Sequence, residues 1–321
     1  MPILLILLIL FALFVIFFLA PAVVAVITVF GRGKETDLDS ACQSGQFAPY
    51  ADLLRSSSAA LLARGPVRVS IDGPDGVRLF GDYYDLRADR TVLFFHGYRS
   101  CPLVNFAVQA ESFAARGWNV LLPRQRAHGD SGGKRCYLGL KEQYDLLAWV
   151  DWAAGAGARE LVVYGMSMGG AAAAYAADKL DPKLVRAAVV DCAFSSPYRQ
   201  MQRDCIKRHV PWRLLMPLIR ALAFLCYRID IAAAAADSLS RARVPVFFLH
   251  GTSDETVPYE DGRSNFEACA SAKAFFTAAG AGHTESFLAD RKGAEEALFA
   301  FLSSDNETTN RNKEEMKGPV S

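Results

Sequence analysis

The chain has 321 residues, room for one large domain or two small ones, with 52% hydrophobic and 21% charged residues. Its 35 Lys and Arg are balanced by 34 Asp and Glu, a net charge of +1, so electrostatics gives no reason to expect a nucleic-acid partner. The apolar share exceeds that of an ordinary globular domain, and the surplus sits at one end.

From Pro2 to Phe30 the run PILLILLILFALFVIFFLAPAVVAVITVF contains no charged residue. It is longer than the roughly 20 residues needed to cross a hydrocarbon core, so residues 1–31 read as a single transmembrane anchor, with Pro21 as the place for a kink. A cleaved signal peptide would need a positive n-region and an apolar core of about 7–15 residues. Ala20-Pro21-Ala22 imitates a cleavage site, but the n-region carries no side-chain charge and the run is too long. Arg32 and Lys34 follow the span and favour a cytoplasmic catalytic domain by the positive-inside rule.

Residues 32–66 read as a polar linker ending in a short helix, Tyr50 to Leu62. A regular pattern then begins. Short apolar runs predict strands at Val67–Ile71, Val77–Tyr84, Thr91–Phe95, Asn119–Leu122, Leu161–Tyr164, Ala187–Asp191, Pro245–Leu249 and Lys273–Thr277. Gly73-Pro74-Asp75-Gly76 joins the first two as a hairpin. The rest alternate with helical segments at Phe106–Arg116, Leu140–Ala153, Met168–Lys179 and Arg291–Leu302. That alternation predicts an α/β fold, an eight-stranded, mostly parallel sheet with helices on both faces. In Leu140–Ala153, Tyr144, Ala148 and Trp152 recur every fourth residue and predict that helix's apolar stripe.

An insertion over 192–244 interrupts the alternation. Its apolar part, Pro211 to Ala236, reads either as helices on the sheet edge or as a small helical cap supplying an acyl-sized pocket. The last residues, 303–321, have almost no apolar content and read as a disordered tail, in which Asn306-Glu307-Thr308 fits a glycosylation acceptor. Seven cysteines, none in a C-x-x-C pair, suggest neither a metal site nor a disulfide framework, and the odd count leans toward a reducing compartment.

Gly165-Met166-Ser167-Met168-Gly169 matches G-x-S-x-G where a strand gives way to an alanine-rich helix. In such an elbow the serine takes a strained backbone position and its neighbours must be small. A serine hydroxyl needs a base to take its proton and a carboxylate to orient that base, in the chain order Ser, Asp or Glu, His. Two histidines follow Ser167. His209 lies among the cations of the insertion, whereas His283, in GAGHTES between the last strand and last helix, is placed to be the base. Asp254, in LHGTSDETVP, is the preferred acid, with Thr252, Ser253 and Thr256 available to hydrogen-bond it; Asp191, closing the preceding strand, is the alternative. Oxyanion donors are expected from the Met168 N–H and, in the loop His96-Gly97-Tyr98-Arg99-Ser100, from the Tyr98 N–H. His96 and His128 precede the serine and are expected to hold loops, and Cys101 and Cys192 to be small buried residues.

On these motifs residues 67–302 resemble the α/β-hydrolase superfamily. FFHGYRS, RQRAHGDSGGK, GMSMGGAAA, DCAFSSPY, LHGTSDETVP and GAGHTES are similar to a bacterial branch of membrane-anchored serine hydrolases related to BEM46-like and prolyl-oligopeptidase-like groups. The resemblance implies catalysis by Ser167, Asp254 and His283, with Tyr98 and Met168 at the oxyanion site. The N-terminal propeller of prolyl oligopeptidases is missing, which argues against peptidase activity. The expectation is therefore a membrane-tethered serine hydrolase of carboxylic esters or thioesters, acting on a small-molecule ester or acyl substrate without metal or cofactor. A small-peptide hydrolase and a non-catalytic membrane scaffold are the alternatives.

Overall fold

The computed structural model describes residues 2–43 and 45–304; the expected tail from residue 305 on, with its glycosylation acceptor, lies outside them. At the N-terminus α1 (Pro2–Phe14), a π-helical turn (Val15–Leu19) and α2 (Ala20–Phe30) follow without a break. Ile3–Phe30 is long and apolar enough to cross a membrane. Pro21 has no N–H for the ladder, and the widened π turn directly before it is the local adjustment. Ala22, Val26 and Phe30, at helical spacing, are buried against the rest of the chain, so this helix ends docked on the domain.

The remaining helices are α3 (Leu38–Gln43), α4 (Ala51–Leu62), α5 (Pro102–Ala114), α6 (Glu142–Gly155), α7 (Met168–Ala176), α8 (Pro197–Lys207), α9 (Trp212–Tyr227), α10 (Ala235–Leu239), α11 (Tyr259–Ala268), α12 (Ser286–Ala289) and α13 (Arg291–Ser303). The strands are β1 (Val67–Asp72), β2 (Arg78–Tyr84), β3 (Arg90–Phe95), β4 (Asn119–Pro123), β5 (Glu160–Met166), β6 (Val185–Asp191), β7 (Val246–Gly251) and β8 (Lys273–Ala278). They form one sheet in the order β1-β2-β4-β3-β5-β6-β7-β8. β1 pairs antiparallel with β2 and β2 with β4; every other pairing is parallel.

Parallel strands covered on both faces are apolar through their middles, and β3 to β7 are, with polar residues only near their ends. In β3, Leu93 and Phe95 join a core with α2, α6, α7 and α9, while Val92 and Phe94 join a second core with α4, α5 and α13. Parallel register brings the C-terminal ends of β3, β5, β6, β7 and β8 to one edge, where each strand passes into a loop.

The stripe expected on α6 is not the buried one. Tyr144 is exposed, and the buried face runs through Glu142, Asp145, Leu146, Trp149, Val150 and Ala153. Two carboxylates hide this face in the sequence, and each is satisfied locally. Asp145 takes a bidentate pair of 2.6 Å bonds from the buried Arg126 guanidinium, which Asp75 also engages. Glu142 accepts the N–H groups of Tyr137 and Gly139, and burial pushes its carboxyl up to about 7.

Candidate active site

β5 ends at Met166 and α7 starts at Met168, leaving Ser167 alone at the corner with φ 53° and ψ −112°. A β-carbon at Gly165 would strike the Gly169 carbonyl, and one at Gly169 the Phe95 carbonyl, so both glycines are required by the close crossing of helix and sheet. The Ser167 N–H is tied to the Asp191 carbonyl at 2.8 Å, which fixes the elbow against β6.

His283, in the loop after β8, places Nε2 3.0 Å from Ser167 Oγ, and its Nδ1 lies 2.7 Å from Asp254 Oδ2. An ionised carboxylate only accepts, so Nδ1 carries the proton and Nε2 is left to receive one from the hydroxyl. Asp254 Oδ1 accepts the N–H groups of Thr256 at 2.9 Å and Val257 at 2.8 Å. Of Thr252, Ser253 and Thr256, Thr256 holds this carboxylate, through its N–H rather than its hydroxyl, while Thr252 Oγ1 accepts the Gly280 N–H. Burial alone would raise the Asp254 carboxyl, but hydrogen bonds from His250, His283 and the Val257 N–H outweigh it and hold the group well below the usual carboxylate range.

Asp191 is fully buried at the end of β6 and makes no bond to His283. The Tyr164 hydroxyl donates to its Oδ2 at 3.1 Å, and burial pushes its carboxyl up to about 6. His209 sits on an exposed turn after α8, φ 56°. His96 Nδ1 donates to the Gly97 carbonyl at 2.9 Å while Nε2 accepts the Gln125 N–H; burial lowers this imidazole to about 3. His128 Nδ1 donates to the Arg126 carbonyl, and its Nε2 accepts the Arg99 N–H at 3.0 Å. Both rings are thus neutral braces of the loop after β3. In that loop the Gly97 N–H is bonded to Asn105, the Arg99 N–H to His128 and the Ser100 N–H to Gly97. Among the described residues the Tyr98 N–H has no partner. The Met168 N–H, in the first turn of α7, has no intrahelical acceptor either.

Four features escaped the sequence. His250, at the end of an apolar strand, lies under the site with Nε2 2.9 Å from the Val257 carbonyl, to which it donates, and 3.3 Å from Asp254 Oδ2; a polar residue inside an apolar run was its signal. Asn105 braces Gly97 from the first turns of α5. The segment read as a free linker forms a wall of the site, with Gln46 Nε2 donating to the His283 carbonyl at 2.8 Å and to Thr284 Oγ1 at 2.7 Å. No local pattern announces that contact across 237 residues.

Finally, the cavity at Ser167 is not made by the part of the insertion expected to make it. Its volume is about 620 Å³, and its apolar lining includes Val29, Phe47, Leu138, Phe194, Met201 and Val257. From the insertion α8 and the loop before it, through Phe194, contribute, while α9 packs on α2 and supplies none of the lining.

Cys192, Asp254 and His283 offer ligand atoms within 4.8 Å of one another, the spacing of a metal site. Asp254 and His283 are already bonded to each other, and burial pushes the Cys192 thiol far above its usual range, against the thiolate a metal requires.

A family model described as the alpha/beta hydrolase fold matches residues 90–222, and one described as TAP-like protein matches 219–314. The chain belongs to the α/β-hydrolase superfamily. It is 27% identical over 230 residues to the uncharacterized protein YqkD of Bacillus subtilis, covering 68% of this chain and 73% of that protein. With the uncharacterized membrane protein YNL320W of Saccharomyces cerevisiae it shares 29% identity over 176 residues, 54% of this chain and just over half, 57%, of the yeast protein. Among solved structures it is similar to the Pyrococcus furiosus esterase Pf2001, with TM-score 0.59 and 23% identity over 75% of this chain and 91% of that one. Est1E from Butyrivibrio proteoclasticus, solved with ferulic acid bound, gives TM-score 0.57 and 18% identity over 74% of this chain and 100% of that one.

Proposed function

We propose that this chain is a membrane-tethered serine hydrolase that cleaves carboxylic esters or thioesters through an acyl-enzyme. The observation that carries the reading is the unbroken hydrogen-bonded line from Ser167 Oγ through His283 to Asp254, at 3.0 and 2.7 Å, in the wall of a largely apolar cavity. In the first half-reaction Oγ attacks the substrate carbonyl carbon while its proton passes to His283 Nε2. The charge on the carbonyl oxygen is met by the N–H groups of Tyr98 and Met168, worth about 3–4 kcal/mol each where such donors are removed from other enzymes. Collapse expels the alcohol or thiol, which takes the proton from Nε2. Water then enters, gives a proton to the same nitrogen, attacks the acyl carbon and releases the acid, restoring Ser167. Asp254 stays ionised and stabilises the imidazolium at each half-reaction.

The tether reading is supported by the docking of the helix end. Phe30 is fully buried and Val29 lines the cavity, contacts that favour an anchor built into the domain over a detached leader. The direct test is labelling with a fluorophosphonate probe. Full-length protein should react and Ser167→Ala should not; labelling that survives this substitution, or a folded wild type that does not label, contradicts the reading.

A further inference from the structure

α9 has two faces. Leu215, Met216, Ile219 and Ala223 are buried against the domain. On the other side Leu214, Phe224 and Leu225 are 56%, 54% and 65% exposed, and Arg213 and Arg220 stand on the same stripe. Trp212 opens the helix half-exposed, with the Arg213 guanidinium 5.6 Å from its ring. A stripe of large apolar side chains studded with arginines and headed by tryptophan is the composition of a helix lying in a membrane interface.

Its neighbour fixes what covers it. α9 packs along α2, its Tyr227 ring 5.6 Å from that of Phe30, and it also touches the π-helical turn Val15–Leu19. The apolar helix has 28 residues, Ile3–Phe30, of which a hydrocarbon core holds about 20. Wherever such a window is placed, it contains residues 15–19. A helix touching that turn therefore reaches the depth of the lipid.

We propose that the outward face of α9 is a lipid-seated surface, inserted in the same bilayer that α1 and α2 cross. Leu214, Phe224 and Leu225 lie among acyl chains, and Arg213 and Arg220 extend to headgroup phosphates. Arg220 reaches Asp230 at 2.8 Å in an exposed pair, which costs little to exchange for a phosphate. The cavity has Val29, from the end of the same helix, in its wall, which brings the site close to the end of the span. Resting on the hydrolase reading above, this assigns acyl amphiphiles resident in the membrane as the substrate class.

The test uses full-length protein in vesicles of phosphatidylcholine and phosphatidylglycerol. A fluorophore placed by Leu225→Cys in a Cys226→Ser background should be quenched by brominated lipid, whereas one placed by Lys292→Cys, an exposed position on α13, should not. In a second arm, Leu214→Glu with Leu225→Glu should lower turnover of methylumbelliferyl oleate dissolved in the vesicles by about a hundred-fold, the loss expected for two half-exposed leucines that no longer bury. Turnover of soluble p-nitrophenyl acetate should be unchanged, which also shows that the variant folds. Equal quenching at both positions, energy transfer between α9 fluorophores of two chains without quenching, or equal effects on both esters overturns the proposal. If wild type turns over neither ester, the hydrolase reading fails instead, and quenching alone decides whether α9 is seated in lipid.

Discussion

Asp254, in the loop after β7, and Asp191, closing β6, stand beside each other with opposite electrostatics. The first is surrounded by donors and held charged; the second is deprived of water, with one hydroxyl donor and an Oδ1 that has no partner among the described residues. Asp254→Asn removes the charge that fixes the His283 tautomer, and kcat should fall by about four orders of magnitude, whereas Asp191→Asn should leave it within a few-fold. The two variants also differ in stability. The folded Asp191 carboxyl titrates near 6 against an ordinary value of 3.8, so its ionisation opposes folding as pH rises from about 4 to about 6 and the full cost persists above that. Thermal melts of Asp191→Asn should therefore exceed wild type at pH 8 and converge with it near pH 4; a gap independent of pH contradicts the assigned cause. In the sequence one aspartate closes a strand and the other follows the next strand by a few residues, and only the folded neighbourhood separates them.

At the scale of elements, the apolar N-terminal helix and the loop after β3 are one unit. The Tyr98 hydroxyl donates to the Val29 carbonyl at 2.9 Å and Arg99 Nη2 to the Thr28 carbonyl at 2.7 Å, both acceptors in the last turn of α2, where carbonyls lack helical partners. Thr36 N–H returns to the Arg99 carbonyl at 2.9 Å and closes the clasp. Tyr98→Phe removes one such bond, about 1 kcal/mol, at the residue whose N–H is proposed to face the oxyanion. Steady-state kinetics with p-nitrophenyl acetate should show kcat reduced about five-fold with KM little changed; a change in KM alone would place the loop in binding rather than in charge stabilisation. None of this clasp was legible in the sequence, because its acceptors are backbone carbonyls inside an apolar run. The strands were legible, β3 to β8 because a parallel sheet buried on both faces favours short runs of Val, Leu and Phe, and β1 and β2 because turn residues separate them as a hairpin. The face of α6 was misread because the buried ion pair of Arg126 and Asp145 puts polar letters on its inward side.

Taken as a whole, the molecule is a hydrolase sheet whose N-terminal helix is both apolar enough to span a bilayer and built into the wall of the site. The elbow, the histidine loop and the preferred acid were readable as separate strings because each follows a strand, and parallel register brings such loops to one edge. The cavity was not, since it joins residues from 29 to 284 that share no local pattern. The most direct measurement is rapid mixing of full-length protein with p-nitrophenyl acetate, followed by acid quench and peptide mass mapping. The account predicts a burst of p-nitrophenol near one equivalent per chain and an acetyl group on the peptide carrying Ser167, both absent in Ser167→Ala. Turnover with that peptide unmodified, or turnover that Ser167→Ala leaves intact, would contradict it.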